Sequence, residues 1–152
     1  MNAYPDTSFL CALYRSQDNS DRALAYREAM TEPLHVTRLL LCEFRQAVRF
    51  QAFRHRKNPS TGYPIDEAER MIEKNSLHMK QGQVKLLDCD IPGVLVTGER
   101  ISKLRTVGGG HRSFDILHIA TALVLDAREF LSFDANQIRL ASAEGLATPL
   151  KA

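Results

Sequence analysis

The hydrophobic and polar positions along this chain fall into alternating short apolar runs and longer stretches with helical spacing. "AYP", just ahead of Asp6, reads as a brief strand, and "SFLCALYR" and "SDRALAYREAM" as two short helical stretches. A strand at "LHV" (34–36) runs into Thr37, a residue type suited to cap the helix "RLLLCEFRQAVRFQAF". Turn residues "NPSTG" end that helix. Pro64 at the first helical position, Asp66 and Glu67 in the first turn and Gly82 past the last frame the next one, whose Ile65, Ala68, Ile72 and Met79 keep helical spacing.

"VKLLD" (84–88) reads as a strand and "VLVTGERISKLR" (94–105) as a weaker helix interrupted by Gly98, with "VGGG" a mobile loop after it. Ser113 is placed to cap a helix from Phe114 to about Asp126. "FLS" (130–132) is a strand, "ANQIRLASAE" a helix closed by Gly145, and "ATPL" a last edge strand. Strands alternating with helices predict an α/β fold with a mostly parallel sheet covered on both faces. In such sheets, sites gather at the carboxyl ends of strands.

Composition narrows the class without naming a function. At 152 residues the chain suits a single domain over residues 1–152, with no repeat or low-complexity tract to divide it. Cys11, Cys42 and Cys89 are odd in number, lack C-x-x-C spacing and sit among apolar neighbours, as small buried hydrophobes in a reducing compartment would. The N-terminus has no basic region followed by an apolar run, and no segment is apolar enough to span a bilayer, so a cytoplasmic, non-membrane protein is expected. A formal charge of +2 excludes little. Its distribution says more: Phe44 to Lys57 carries five Lys/Arg and one His with no acid, whereas "DEAERMIEK" is acid-rich.

Acid placement carries the candidate chemistry. Asp6 follows the first strand, Asp134 comes two residues after "FLS", Asp115 lies in the first turn of a helix, and Glu43 sits inside a helix among apolar residues. Taken singly, an Asp at a helix start is a cap favoured by the dipole. Taken together, two carboxylates about 4 Å apart repel by ~4 kcal/mol at an effective dielectric of 20. Convergence therefore needs either raised pKa values or a hard cation, and all-oxygen ligands suit Mg²⁺ or Mn²⁺. A carboxylate-held ion of that kind suits phosphodiester hydrolysis.

"YPDTSFLCAL", "LLLCEFRQAV", "SFDILHIATAL" and "FLSFDANQIRLASAEGL" resemble, in order, spacing and neighbouring residues, the four acidic motifs of the PIN-domain ribonucleases, nearest the VapC-type toxins of toxin–antitoxin pairs. The resemblance runs from about Asp6 to Leu150. It implies a three-layer α/β/α fold, Mg²⁺- or Mn²⁺-dependent endoribonuclease activity, homodimerisation and inhibition by a cognate antitoxin. Its metal-binding acids would be Asp6, Glu43, Asp115 and Asp134. Ser132 would hold one of these carboxylates or a metal-bound water from behind. The chain departs from the family in its short first strand, where Pro5 cannot donate to a ladder, and in a longer stretch between His55 and Pro64.

Other features weigh less. Asp115 and His118 have the spacing of a helical metal pair, but helical di-metal sites need the motif twice, so His118 reads as a core residue or as one supporting the site from behind its ligands. "TVGGGHR" lacks the G-K-[ST] ending of a phosphate loop. Arg45 and Arg49, starting two residues after Glu43, and Arg112, just before Asp115, are candidates for contacting an RNA backbone. Phe50 and Phe53, with Leu10 and Leu13, are expected in a core or dimer contact. Two rivals remain: a catalytically silent module whose acidic groove binds a partner protein, and, less favoured, a phospho-acceptor receiver domain.

Overall fold

A computed structural model describes residues 1–150 of the chain. They form two compact units, Met1–Phe9 with the chain from Leu87 onward, and Leu10–Leu86. In chain order the elements are β1 (Ala3–Pro5), α1 (Thr7–Tyr14), α2 (Ser20–Ala29), β2 (Leu34–Thr37), α3 (Arg38–Lys57), α4 (Ile65–Lys80), β3 (Val84–Leu87), α5 (Ile91–Gly109), α6 (Ser113–Val124), β4 (Glu129–Leu131) and α7 (Ala135–Ala143).

In the first unit β1 pairs with β4 in parallel, Tyr4 opposite Phe130 and Pro5 opposite Leu131. Alternate N–H groups of a strand point to the same edge. The Asp6 N–H donates to the Leu131 carbonyl at 2.9 Å, so the missing N–H of Pro5 faces away from β4. Proline therefore costs this ladder nothing. Tyr4, Phe130, Leu131, Ile119, Ile101 and Leu140 are buried at the centre, with the Tyr4 and Phe130 rings stacked at 6.4 Å. His118 is fully buried beside Tyr4.

Helix α5 departs from expectation. It begins three residues earlier, with a Pro in its first turn, and continues through Gly108 and Gly109 to a left-handed cap at Gly110 (φ 67°). Most of the expected mobile loop is thus the last turn of a helix. Gly98, mid-helix and buried, does not break it either. A Cβ there would stand 3.5 Å from Ile116 and Leu117, ordinary van der Waals contact. Gly98→Ala is accordingly expected to stabilise the protein by ~0.5–1 kcal/mol through helix propensity, visible as a higher urea midpoint.

Two boundaries shift by a residue, and one strand shrinks. Ser113 is the first residue of α6, with Arg112 at the cap, and Pro64 caps α4 from just outside it. The expected C-terminal edge strand is a single parallel bridge between Glu129 and Ala147.

In the second unit β2 pairs with β3. The Thr37 hydroxyl accepts from Leu40 N at the start of α3, as its residue type indicated. Leu13, Leu34, Val36, Leu40, Phe44, Val48, Ala68 and Met71 are buried. Phe50 and Phe53 are half-exposed and stack on each other at 5.8 Å rather than entering the core. The cysteines also differ from expectation. All three are free, Cys42 is exposed and none is fully buried. No helix among the described residues is long and apolar enough to cross a membrane.

Candidate active site

Two parallel strands that end side by side place two acids together. Asp6 immediately follows β1, and Ser132, Phe133 and Asp134 follow β4. Asp6 is wholly buried, and four protein donors surround its carboxylate. Ser8 Oγ at 2.6 Å and Phe9 N at 2.9 Å donate to Oδ1, and Ser132 Oγ at 2.6 Å and Gln137 Nε2 at 2.9 Å donate to Oδ2. Burial nevertheless pushes the Asp6 carboxyl above its ordinary value, outweighing the lowering by Ser132, Ser8, the Phe9 N–H and the nearby His118. Desolvation wins because removing a carboxylate from water penalises only its charged form.

Asp134 is the N-cap of α7, and its Oδ1 accepts from Asn136 N and Gln137 N at 2.8 and 3.0 Å. Its own N–H donates to Ser132 Oγ at 3.0 Å. Ser132 therefore touches both acids, donating its hydroxyl to Asp6 and accepting from the Asp134 backbone. Gln137 does the same from the other side, with its amide on Asp6 and its backbone N–H on Asp134.

Gln137 and Ser8 were missed from the sequence. The Asp134-x-x-Gln137 spacing is that of a capping box, in which the third helical residue normally reaches back to the cap. Here Ser132 takes the cap's N–H, so Gln137 turns to Asp6. Gln137 is 94% buried and its Oε1 has no hydrogen-bond partner.

Asp115 is 4% exposed, and its Oδ2 accepts from Arg112 N and Nε at 3.4 and 3.3 Å, closing a capping box on α6. No hydrogen bond joins it to Asp6 or Asp134. The loop ahead of it is tied to α7 through His111 Nδ1 and Asn136 Nδ2 at 3.2 Å. Glu43 is half-buried on α3 in the other unit. Among the described residues, no three His, Cys, Asp or Glu side chains stand close enough to hold one ion directly.

The donor set still suits a hard cation. It is all oxygen, it includes a desolvated carboxyl that a positive charge would favour ionised, and the buried Gln137 Oε1 is an acceptor without a donor. Mg²⁺ commonly keeps several waters and is bound through only one or two carboxylates, so a preformed trio of acids is not required.

Arg45 and Arg49 occupy a different part of α3 from Glu43. At about 100° per residue, Arg45 lies about 200° and Arg49 about 240° round the helix from it. Both line a separate pocket with Arg38. The sequence grouped these arginines with Glu43 by proximity along the chain, a spacing that the helix turns into opposition.

No curated protein matches the chain in sequence. Solved structures match it in fold. VapBC-1 from nontypeable Haemophilus influenzae superposes with a TM-score of 0.61 at 13% identity, covering 97% of this chain and 96% of that one. VapC20 of Mycobacterium tuberculosis, described as a sarcin-ricin loop cleaving toxin, gives 0.63 at 13% identity over 96% and 97%. FitAcB from Neisseria gonorrhoeae gives 0.59 at 16% over 96% and 95%. At these identities the likeness establishes the fold, the three-layer α/β/α arrangement anticipated from the motifs. The family model for the PIN domain matches residues 3–143, from β1 to the end of α7, and the chain belongs to the PIN domain family.

Proposed function

We propose that this chain is a divalent-metal-dependent endoribonuclease and the toxin of a toxin–antitoxin pair. The observation that carries this reading is the buried Asp6 carboxyl, raised in pKa and wired through Ser132 and Gln137 to Asp134 at the ends of two parallel strands. Membership of the PIN family and likeness in fold to VapC and Fit proteins support it.

Asp6, Asp115 and Asp134 would hold Mg²⁺ or Mn²⁺, in part through water. A bound ion of this class supplies a water of lowered pKa and neutralises phosphate charge. The chain does the rest. Ser8, Ser132, Gln137 and the Phe9 N–H fix both oxygens of Asp6, so that it presents one orientation. The buried Gln137 Oε1, without a partner of its own, would accept a hydrogen from a water in the site. Arg112, 79% exposed in its side chain beside Asp115, meets the approaching RNA backbone with positive charge. Hydrolysis joins the water oxygen to phosphorus and breaks the bond to the 3′ oxygen, leaving a 3′-hydroxyl and a 5′-phosphate. The proposed setting is the cytoplasm, as a homodimer held in check by an antitoxin.

The absence of three acids within common reach, among the described residues, favours one competing reading: a silent PIN module whose acidic groove only binds a partner. Purified protein free of antitoxin distinguishes the two. Single-stranded RNA should be cut with Mn²⁺ or Mg²⁺ and spared with EDTA. If RNA stays intact with either ion while the protein remains folded, the silent reading stands in its place.

A further inference from the structure

The unit Leu10–Leu86 contains a cavity of about 430 Å³ on the side of α3 turned away from Glu43. Arg38, Arg45 and Arg49 line it, within about 40° of one another round the helix, and Leu41, Met79 and Leu86 contribute apolar surface. The three guanidinium groups form no ion pair with any described acid. Arg45 is half-buried, and its Nε, cut off from solvent, has no hydrogen-bond partner. A buried N–H on a charged group without an acceptor is costly, and three like charges round one cavity add repulsion. Both costs end when an anion enters.

We propose that this cavity docks an acidic segment of a partner protein, its Asp or Glu carboxylates pairing with Arg38, Arg45 and Arg49 while an apolar side chain between them packs on Leu41, Met79 and Leu86. Arg forks bind carboxylates in two parallel bonds, and Arg clusters are a recurring means of reading acidic motifs. The lining favours protein over nucleic acid. Single-stranded RNA is held by aromatic platforms on which bases stack, and no lining residue is aromatic. The proposal stands independently of the nuclease reading, because it uses none of the acids of the candidate active site.

Fluorescence anisotropy in EDTA tests it, with a labelled peptide of glutamates carrying leucine at every fourth position as the probe. Matched probes are the same peptide with glutamine for glutamate and a single-stranded oligouridylate. The acidic peptide is expected to bind, to weaken as salt is raised, and to lose at least tenfold in affinity on Arg45→Met, which keeps the apolar stem and removes the fork. The glutamine peptide should not bind. The pair Arg38→Gln and Arg49→Gln, both at exposed positions, gives the same answer should Arg45→Met fail to fold. Unchanged peptide affinity in the folded variants overturns the proposal. So does oligouridylate binding that these variants abolish while the peptide stays unbound. A variant-induced loss of a homodimer in sedimentation also overturns it, by making the occupant a second copy of this chain.

Discussion

Asp6→Asn is expected to fold and to lose RNA cleavage by about 10²–10⁴-fold, the range that several kcal/mol of lost charge stabilisation implies. Retention of the fold follows from the neighbours. The Ser8 and Ser132 hydroxyls rotate freely. Gln137 can turn its amide over, so that its orphaned Oε1 accepts from the new Asn NH₂ group. Removing a buried charge also relieves the desolvation that raises the Asp6 pKa.

That shift fixes the sign of a pH effect. A carboxyl whose folded pKa exceeds its unfolded value of 3.8 binds more protons when folded, so its stabilising contribution is complete below 3.8 and is lost as pH rises through the raised folded value. The parent should therefore lose stability relative to Asp6→Asn as pH climbs from acid toward neutral, in urea midpoints measured side by side. Mn²⁺ should reverse the difference. At 100 times its Kd an ion adds about 2.7 kcal/mol to the parent, and the variant should show little of that rise. Full cleavage by the variant, or equal thermal upshifts in both proteins, would remove Asp6 from the site.

Ser132→Ala is the second large expected effect, and it separates support from ligation. The hydroxyl is fully buried, donates to Asp6 Oδ2 and accepts from Asp134 N, so its loss strips one bond from a buried carboxylate and leaves a backbone N–H unsatisfied. A stability loss of about 1–3 kcal/mol follows from the unpaired groups. Groups that orient a ligand typically govern metal affinity by 10–100-fold. Mn²⁺ titrations followed by melting temperature should shift by that factor. Cleavage should recover toward the parent rate at saturating ion, because both carboxylates remain. Unshifted titrations would show Ser132 to be packing alone.

The candidate site was legible where local chemistry and chain order coincide. Asp6, Asp115 and Asp134 stand at a strand end or a helix start because those are the positions at which an α/β chain turns, and each acid is followed by the apolar periodicity of its helix. Thr37 and Gly145 were readable for the same reason, since caps and left-handed turns select residue types.

What the sequence concealed depends on partners distant in the chain. Gln137 resembles half of a capping box until Ser132 is seen to occupy the place it would take. Pro5 looks unfit for a paired strand until the ladder shows which edge its nitrogen faces. The glycines at 108 and 109 suggest a loop, yet nothing stops α5 before Gly110. Arg45 and Arg49 follow Glu43 closely in the chain yet face another side of α3, because residues two or six apart do not share a helix face.

The pairing of β1 with β4 imposes an order on synthesis. The hydroxyl that steadies Asp6 lies 126 residues further along the chain. A nascent polypeptide that stops short of Glu129 has no strand for Ala3–Pro5 to pair with, and neither Ser132 nor Gln137 to hold the first acid. Interrupted translation thus yields fragments without an assembled pocket. The hydrogen-bond cradle around Asp6 is therefore complete only once α7 has left the ribosome.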